Sequence, residues 1–153
     1  MSDFKLKSLI KKYLNDQKLM QVASVRDGKP WVFTVWQVND EDMNMYFFSS
    51  VNRRHSKDIA SDGNVSGALA MPHTPDDKPR GLQFEGYADL VTDSAEILRI
   101  RELYEGRIFD ADRIDKYMSN PENPHAFYRI KPSKYVLFDV ETYPDDPRKE
   151  FTL

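Results

Sequence analysis

The sequence predicts a mainly β domain with peripheral helices (α+β), built as a small six- to seven-stranded antiparallel barrel. Three observations carry that expectation. The runs Leu19–Arg26, Lys29–Val38 and Met43–Ser49 follow one another with only short polar turns between them, which is the pattern of an antiparallel meander. Further short apolar runs recur to Val140, while helical periodicity is confined to the start of the chain, a crossover after the third strand, and a late segment. Gly86 interrupts a long strand-like run, as a bend or bulge in a curved sheet would. Closing such a sheet removes its exposed edges.

The elements follow in order. Residues 3–16 carry Phe4, Leu6, Leu9, Ile10, Tyr13 and Leu14 at helical spacing, with Lys5, Lys7, Lys11 and Lys12 opposite. A basic amphipathic helix of this kind covers one end of a sheet or lies on a membrane surface; Asp3 and Asp16 at its ends and its ordinary width favour the first. Asp27-Gly28 is a two-residue hairpin turn, and Pro30 stands at the beginning of the returning strand, where its missing N–H does least harm. Asn39–Asp42 is a second turn. A short helix is expected over 53–62, then a small-residue strand Asn64–Met71 whose Gly67 and Ala68 allow close approach of a backbone or a flat ligand. Pro72–Pro79 reads as a loop and Arg80–Val91 as the fifth strand. Asp93 caps a helix over 94–105, and a helical turn follows over Asp112–Met118. After the breaker Asn120–Pro124 come strands Ala126–Ile130 and Lys134–Val140, with Lys131-Pro132-Ser133 as the turn between them. The tail, 141–153, is polar and proline-bearing; it is loose or docks on a partner subunit.

The 153 residues fit one domain, with an N-terminal helix within 1–17. A net charge of −3, from 22 basic and 25 acidic residues, argues against a general nucleic-acid binder. The absence of cysteine excludes disulfides, thiolate metal sites and a cysteine nucleophile, which suits a cytoplasmic protein. No secretory leader and no membrane-length apolar run is visible.

Chemistry concentrates at Met43–Ala60. An aromatic strand ends in Ser49-Ser50 and runs through Asn52, Arg53, Arg54 and His55 into a helix. Hydroxyls, guanidinium groups and free helix N–H groups together make an anion cradle; the alternative is a solvated loop with its arginines in water. Trp31, Phe33, Trp36, Phe47 and Phe48 are core residues or, in part, walls of a flat apolar cleft. His73 and His125 lie in proline-rich loops and read as surface residues, and the three histidines lack metal-ligand spacing. No nucleophile elbow, P-loop or dinucleotide fingerprint is present, and Ser49 or Ser50 has only His55 as a nearby base.

The order of PWVFTVWQV, YFFSSVNRRHSKDI, NVSGALAM, LQFEGYADLV and FYRIKPSKYVLFDV resembles the pyridoxamine 5'-phosphate oxidase-like, FMN-binding split-barrel superfamily, in particular a small branch with a YEGRIFDADRI-type segment. The resemblance covers most of residues 5–140. It implies a homodimer with FMN at the subunit interface. It implies that Ser49, Ser50, Arg54 and His55 hold the phosphate beside Phe48. It further implies that the isoalloxazine edge meets the backbone of Val32, Phe33, Thr34 and Val35 and a fifth-strand residue near Gln83. His55 replaces a usual lysine and Trp31 a usual arginine, which lowers the cationic charge toward a phosphate. The C-terminal substrate segment of the true oxidases is unmatched, so pyridoxamine phosphate oxidation itself is not expected. The expected function is that of an FMN-dependent oxidoreductase or flavin reductase acting on a small molecule. The alternatives are a non-enzymatic module holding haem, a deazaflavin or no cofactor, and a dimer acting through protein contacts alone.

Overall fold

The computed structural model describes residues 2–72 and 74–153, Ser2 by its backbone alone, so the histidine at position 73 lies outside the described residues. Seven strands form one antiparallel sheet: β1 (Leu19–Arg26), β2 (Lys29–Asn39), β3 (Met45–Ser50), β4 (Asn64–Ala70), β5 (Arg80–Leu90), β6 (His125–Asp139) and β7 (Arg148–Thr152). Their order is β3-β2-β1-β4-β5-β6-β7, and a further pairing of β3 with β6 closes the first six into a barrel. Four helices accompany them: α1 (Ser2–Asp16), α2 (Arg54–Ser61), α3 (Ser94–Tyr104) and α4 (Ala111–Met118).

Local chemistry sets the turns. Asp27 and Gly28 both take positive φ, 52° and 73°, as a tight twisted hairpin requires, and Arg26 pairs with Lys29 across them. At the second turn the Asp40 carboxylate accepts from the backbone N–H groups of Asp42 and Asn44, both at 3.0 Å, and from the Tyr46 hydroxyl at 2.7 Å. Met43, expected to open the third strand, sits in this turn at φ 65°, so β3 begins at Met45.

The sequence and the structure part at the end of the chain. Lys131-Pro132-Ser133 does not reverse the chain; it lies inside one 15-residue strand, β6. Glu85 pairs with Lys134 and Gly86 with Pro132, so Ser133 is the extra residue of a bulge. A Cβ on Gly86 would come within 2.5 Å of the Lys131 carbonyl oxygen, so the bend needs glycine there. The two halves of β6 then diverge. His125–Ile130 pairs with β3, whereas Lys134–Phe138 pairs with β7, and the barrel splits at the bulge. The tail is not loose: it folds back as β7 along the second half of β6. The buried Asp139 carboxylate fixes its turn, accepting from Tyr13 and Thr142 hydroxyls, both at 2.8 Å.

Two apolar clusters result. The barrel interior holds Met20, Val22, Phe47, Leu82, Phe84 and Leu137, closed at one end by Leu6, Ile10, Tyr13 and Leu14 of α1. The amphipathic stripe of α1 is therefore a barrel cover, each large side chain contributing about 1.5–3 kcal/mol on burial. Alternate β3 residues point the other way: Tyr46 and Phe48 join Val38, Phe127, Ile100, Tyr104 and Ile114 in a second cluster beneath α3 and α4. Asp93 and Asp110 cap these helices, accepting from the N–H groups of Glu96 at 2.9 Å and Arg113 at 2.8 Å.

Candidate ligand-binding cleft

The alternation of β3 sends its two terminal hydroxyls to opposite sides. Ser49 Oγ lies 2.8 Å from His55 Nε2. The His55 ring stacks on Phe33, with centroids 3.9 Å apart and planes 11° from parallel. Burial in this slot, reinforced by the neighbouring Arg53 charge and opposed by Asp58, pushes the imidazole down to about 4, so His55 is neutral at pH 7. Ser50 turns outward and donates to the side-chain carbonyl of Asn123 while accepting from the Asn52 N–H at 3.2 Å. Ser56 donates to the Ser50 carbonyl at 2.7 Å, and the Val51 N–H donates to the Pro124 carbonyl at 3.0 Å. The strand-to-helix turn is thus stapled both to α2 and to the Asn120–Pro124 segment.

The two adjacent arginines behave differently. Arg54 Nε lies 3.6 Å from the buried Asp58 carboxylate, and its guanidinium covers the Trp31 ring at 4.2 Å. Arg26 approaches the same carboxylate at 3.0 Å, and Ser24 donates to it at 3.1 Å. Arg53, the N-cap residue of α2, makes no side-chain capping bond and, among the described residues, no ion pair.

Beside Arg53 opens a cleft of about 460 Å³. Its floor is Thr34, Val35 and Trp36 of β2 with Phe48, Ser49 and Ser50 of β3; Arg53 and His55 form one wall. The other wall is Tyr104, Phe109, Arg113 and Tyr117, with Asn123 and His125 at the end. No carboxylate lines it. The aromatic groups brace one another: Trp36 meets Phe109 edge-on at 5.5 Å, and Tyr117 packs on His125 at 4.7 Å. Arg113 sits 3.9 Å over the Phe109 ring. His125 Nδ1 lies 3.1 Å from the Asn123 carbonyl oxygen, a contact that places the proton on Nδ1 and leaves Nε2 as the acceptor.

Of the residues singled out from the sequence, Thr34, Val35, Phe48, Ser49, Ser50 and His55 come together in this cleft, and Phe33 lies beneath it as the support of His55. Arg54 is held by Asp58 and Trp31. Val32 and Gln83 line a separate depression of about 440 Å³ on the outer face of β1, β4 and β5, with Gly67 and Ala68 in its floor. Gly67 serves packing: a Cβ there would lie 2.4 Å from the Phe84 ring and from the Gln21 carbonyl oxygen. Sequence reasoning put Arg53 in the cradle but gave the phosphate to Arg54, and it missed Phe109, Arg113, Tyr117, Asn123 and His125 as cleft residues. The spacing of Phe109, Arg113 and Tyr117 at i, i+4, i+8, with Phe109 just before the Asp110 cap, was the available signal. His125, read as a loop histidine, opens β6 and faces the cleft.

The arrangement suits binding of an anion with a flat body: unpaired guanidinium groups, hydroxyls and aromatic faces without a competing carboxylate. It does not suit nucleophilic catalysis by Ser49. No carboxylate hydrogen-bonds to His55 among the described residues, so the third member that orients such a base is missing. No cluster of metal-ligating side chains occurs among the described residues. No helix there is long and apolar enough to cross a membrane.

A six-stranded barrel that splits at a bulge, carries helices on one outer face and opens a cleft where β3 meets α2 defines the split-barrel class of small-ligand-binding domains. Residues 6–138 match the pyridoxamine 5'-phosphate oxidase family, and the chain belongs to it. Among solved structures, General Stress Protein 26 of Bacillus anthracis superposes with a TM-score of 0.68 at 21% identity, over 97% of this chain and 98% of that one. A FAD-binding protein of Mesorhizobium loti gives 0.65 at 17%, over 84% and 88%. A heme binding protein of Mycobacterium smegmatis gives 0.70 at 14%, over 92% of this chain and 55% of that one. At these identities the likeness is one of fold. Comparison with curated proteins gave no match.

Proposed function

We propose that this protein is a homodimeric flavoprotein that binds FMN and acts as an oxidoreductase or flavin reductase on a small molecule. The observation that carries the reading is the unpaired Arg53 beside Ser49, Ser50 and His55 in a cleft free of carboxylates. Those residues fit a phosphate: Ser49 and Ser50 present hydroxyls, Arg53 presents a planar fork of donors, and His55 has a ring nitrogen at the cradle. Arg53 takes the place that the resemblance gave to Arg54, whose charge is already engaged by Asp58. When bound, FMN supplies the redox chemistry. The chain's own work is to hold the phosphate, to orient the flat body along Thr34 and Val35, and to exclude water with Trp36 and Phe48. A phosphate at Ser49 favours the charged imidazole and so opposes the lowering of its pKa by burial.

Dimerisation is supported by the depression on the outer face of β1, β4 and β5. It is floored by small residues and bordered by Val32, 62% exposed. A second copy of the chain buries that face and brings Val32 and Gln83 to the ligand.

The test is one absorbance spectrum and one native mass of the purified protein, followed by titration with FMN. A yellow dimer is expected. Arg53→Ala should weaken FMN by about 1.5–3 kcal/mol, the worth of a charge-assisted hydrogen bond, and Arg54→Ala by less. Unchanged affinity in Arg53→Ala, read by flavin fluorescence, would overturn the assignment. The alternative, a binding module without catalysis holding haem or a deazaflavin, draws support from His125, an imidazole that lines the cleft. A haem-type spectrum, or a colourless protein that ignores added FMN, would favour it.

A further inference from the structure

We infer that the α4 side of this cleft is a second anion subsite, centred on Arg113, that takes the carboxylate of a small planar aromatic acid, the class of the protein's small-molecule substrate. The inference rests on reading the cleft as the ligand site, and it concerns the end away from Arg53. Arg113 lies 3.9 Å over Phe109 and 5.7 Å from the centre of the Tyr117 ring. Stacking engages only the face of a guanidinium and leaves its in-plane N–H donors free. No carboxylate or carbonyl takes those donors among the described residues: the nearest acid in sequence, Asp110, accepts from the Arg113 backbone N–H instead. The contrast with Arg101 is direct. On the preceding helix Arg101 is engaged by Glu105 at 2.7 Å and by Asp115 at 2.5 Å.

The remainder of this end matches a planar aromatic body. Phe48, Tyr117 and His125 form a packed aromatic set, with centroids 4.7 Å apart for Tyr117 and His125 and 5.4 Å for Phe48 and His125. Arg53, the N-cap residue of α2, and Arg113, on α4, put two cations from different elements into one cleft that no carboxylate lines, which suits two anionic groups. A phosphorylated coenzyme brings one at the Ser49–Ser50 end; the second belongs to the molecule bound beside it.

The test compares benzoate with benzamide, which have the same shape and differ in charge, by calorimetry on the protein as purified, with and without added FMN. Benzoate should bind about tenfold or more tightly than benzamide, the worth of a charge-assisted pair. Arg113→Gln should erase that preference while weakening FMN less than Arg53→Gln does; Arg53→Gln should weaken FMN and keep the preference. Equal affinities for benzoate and benzamide, no binding of either, or a preference that survives Arg113→Gln would overturn the subsite. A protein that ignores FMN but keeps the Arg113-dependent preference would remove the coenzyme assignment and uphold the subsite. Circular dichroism and dimer mass confirm that each variant is folded.

Discussion

Two concavities flank the α3 side of the barrel, and the larger is the poorer site. A groove of about 1000 Å³ lies between α1, the Asp40 turn and α3; the cleft at the β3–α2 junction has less than half that volume, about 460 Å³. The groove is crowded with charges, and two of its arginines, Arg99 and Arg129, are answered by acids. Arg99 lies 2.9 Å from Glu96 and donates to the Tyr46 hydroxyl at 2.8 Å, and Tyr46 donates to Asp40. Arg129 meets Asp89 at 3.0 Å and Glu96 at 3.6 Å. Burial and the Asp40 carboxylate push the Tyr46 hydroxyl up to about 12, which keeps it a proton donor to Asp40 at any ordinary pH. In the smaller cleft Arg53 and Arg113 have no acid partner among the described residues. A ligand that uses Arg99 or Arg129 in the groove must compete with their carboxylates, whereas one that uses Arg53 or Arg113 in the cleft displaces no ion pair. The internal pairing of charge, more than the size of a hollow, separates scaffold from site.

The largest expected effect breaks the scaffold side. Asp40→Ala removes the acceptor for two backbone N–H groups and the Tyr46 hydroxyl and unbalances Arg99. It should cost about 3 kcal/mol, since each partly buried donor left without its acceptor costs about 1–3 kcal/mol, measured by urea denaturation. FMN affinity of the protein that remains folded should hold within about twofold. Loss of ligand binding in folded Asp40→Ala would erase the distinction between the two concavities.

That distinction was only partly legible in the sequence. The meander, the Asp27-Gly28 hairpin, the α1 stripe and the Gly86 bend follow from local chemistry, because periodicity and turn residues act over a few positions. The cradle was legible for the same reason, since Ser49 to His55 are contiguous. Two things were not. Choosing between Arg53 and Arg54 depends on Asp58, Arg26 and Trp31, which converge only when α2 packs on β1 and β2. The far wall depends on α4 folding back over β3, so Phe109, Tyr117 and His125 meet Phe48 across many residues of sequence. Lys131-Pro132-Ser133 misled in the opposite way. Its turn chemistry is real but is absorbed as a bulge, because β5 continues as a template on both sides of Gly86.

A smaller effect sharpens the cleft side. His55 is neutral when folded, at about 4, and titrates near 6.5 when unfolded, so the unfolded chain binds more protons between those values. Stability should therefore fall as pH drops from about 6.5 to about 4, by on the order of 2 kcal/mol for this group. His55→Asn should flatten that part of the profile in urea midpoints taken across the window. With FMN bound the slope should shrink, because the phosphate stabilises the imidazolium that burial disfavours. A slope equal in wild type and His55→Asn would place the titration elsewhere.

The smallest expected effect lies back in the groove. Arg99 carries more interactions than Arg53, touching Glu96, Asp40 and Tyr46, and a count of contacts would rank it as the more important cation. Its side chain is nevertheless 45% exposed, and an exposed pair held by long side chains contributes about 0–1 kcal/mol. Arg99→Gln should therefore shift the urea midpoint by less than about 1 kcal/mol in stability and leave both FMN and benzoate affinity unchanged. Arg53→Gln, which removes a side chain without any ion pair among the described residues, should leave stability unchanged and weaken FMN. The double comparison is decisive because the two variants make the same chemical change. If Arg99→Gln weakens ligand binding as much as Arg53→Gln, the field of the whole basic surface attracts the ligand. If the effects separate, the guanidinium without a protein partner is the one the ligand uses.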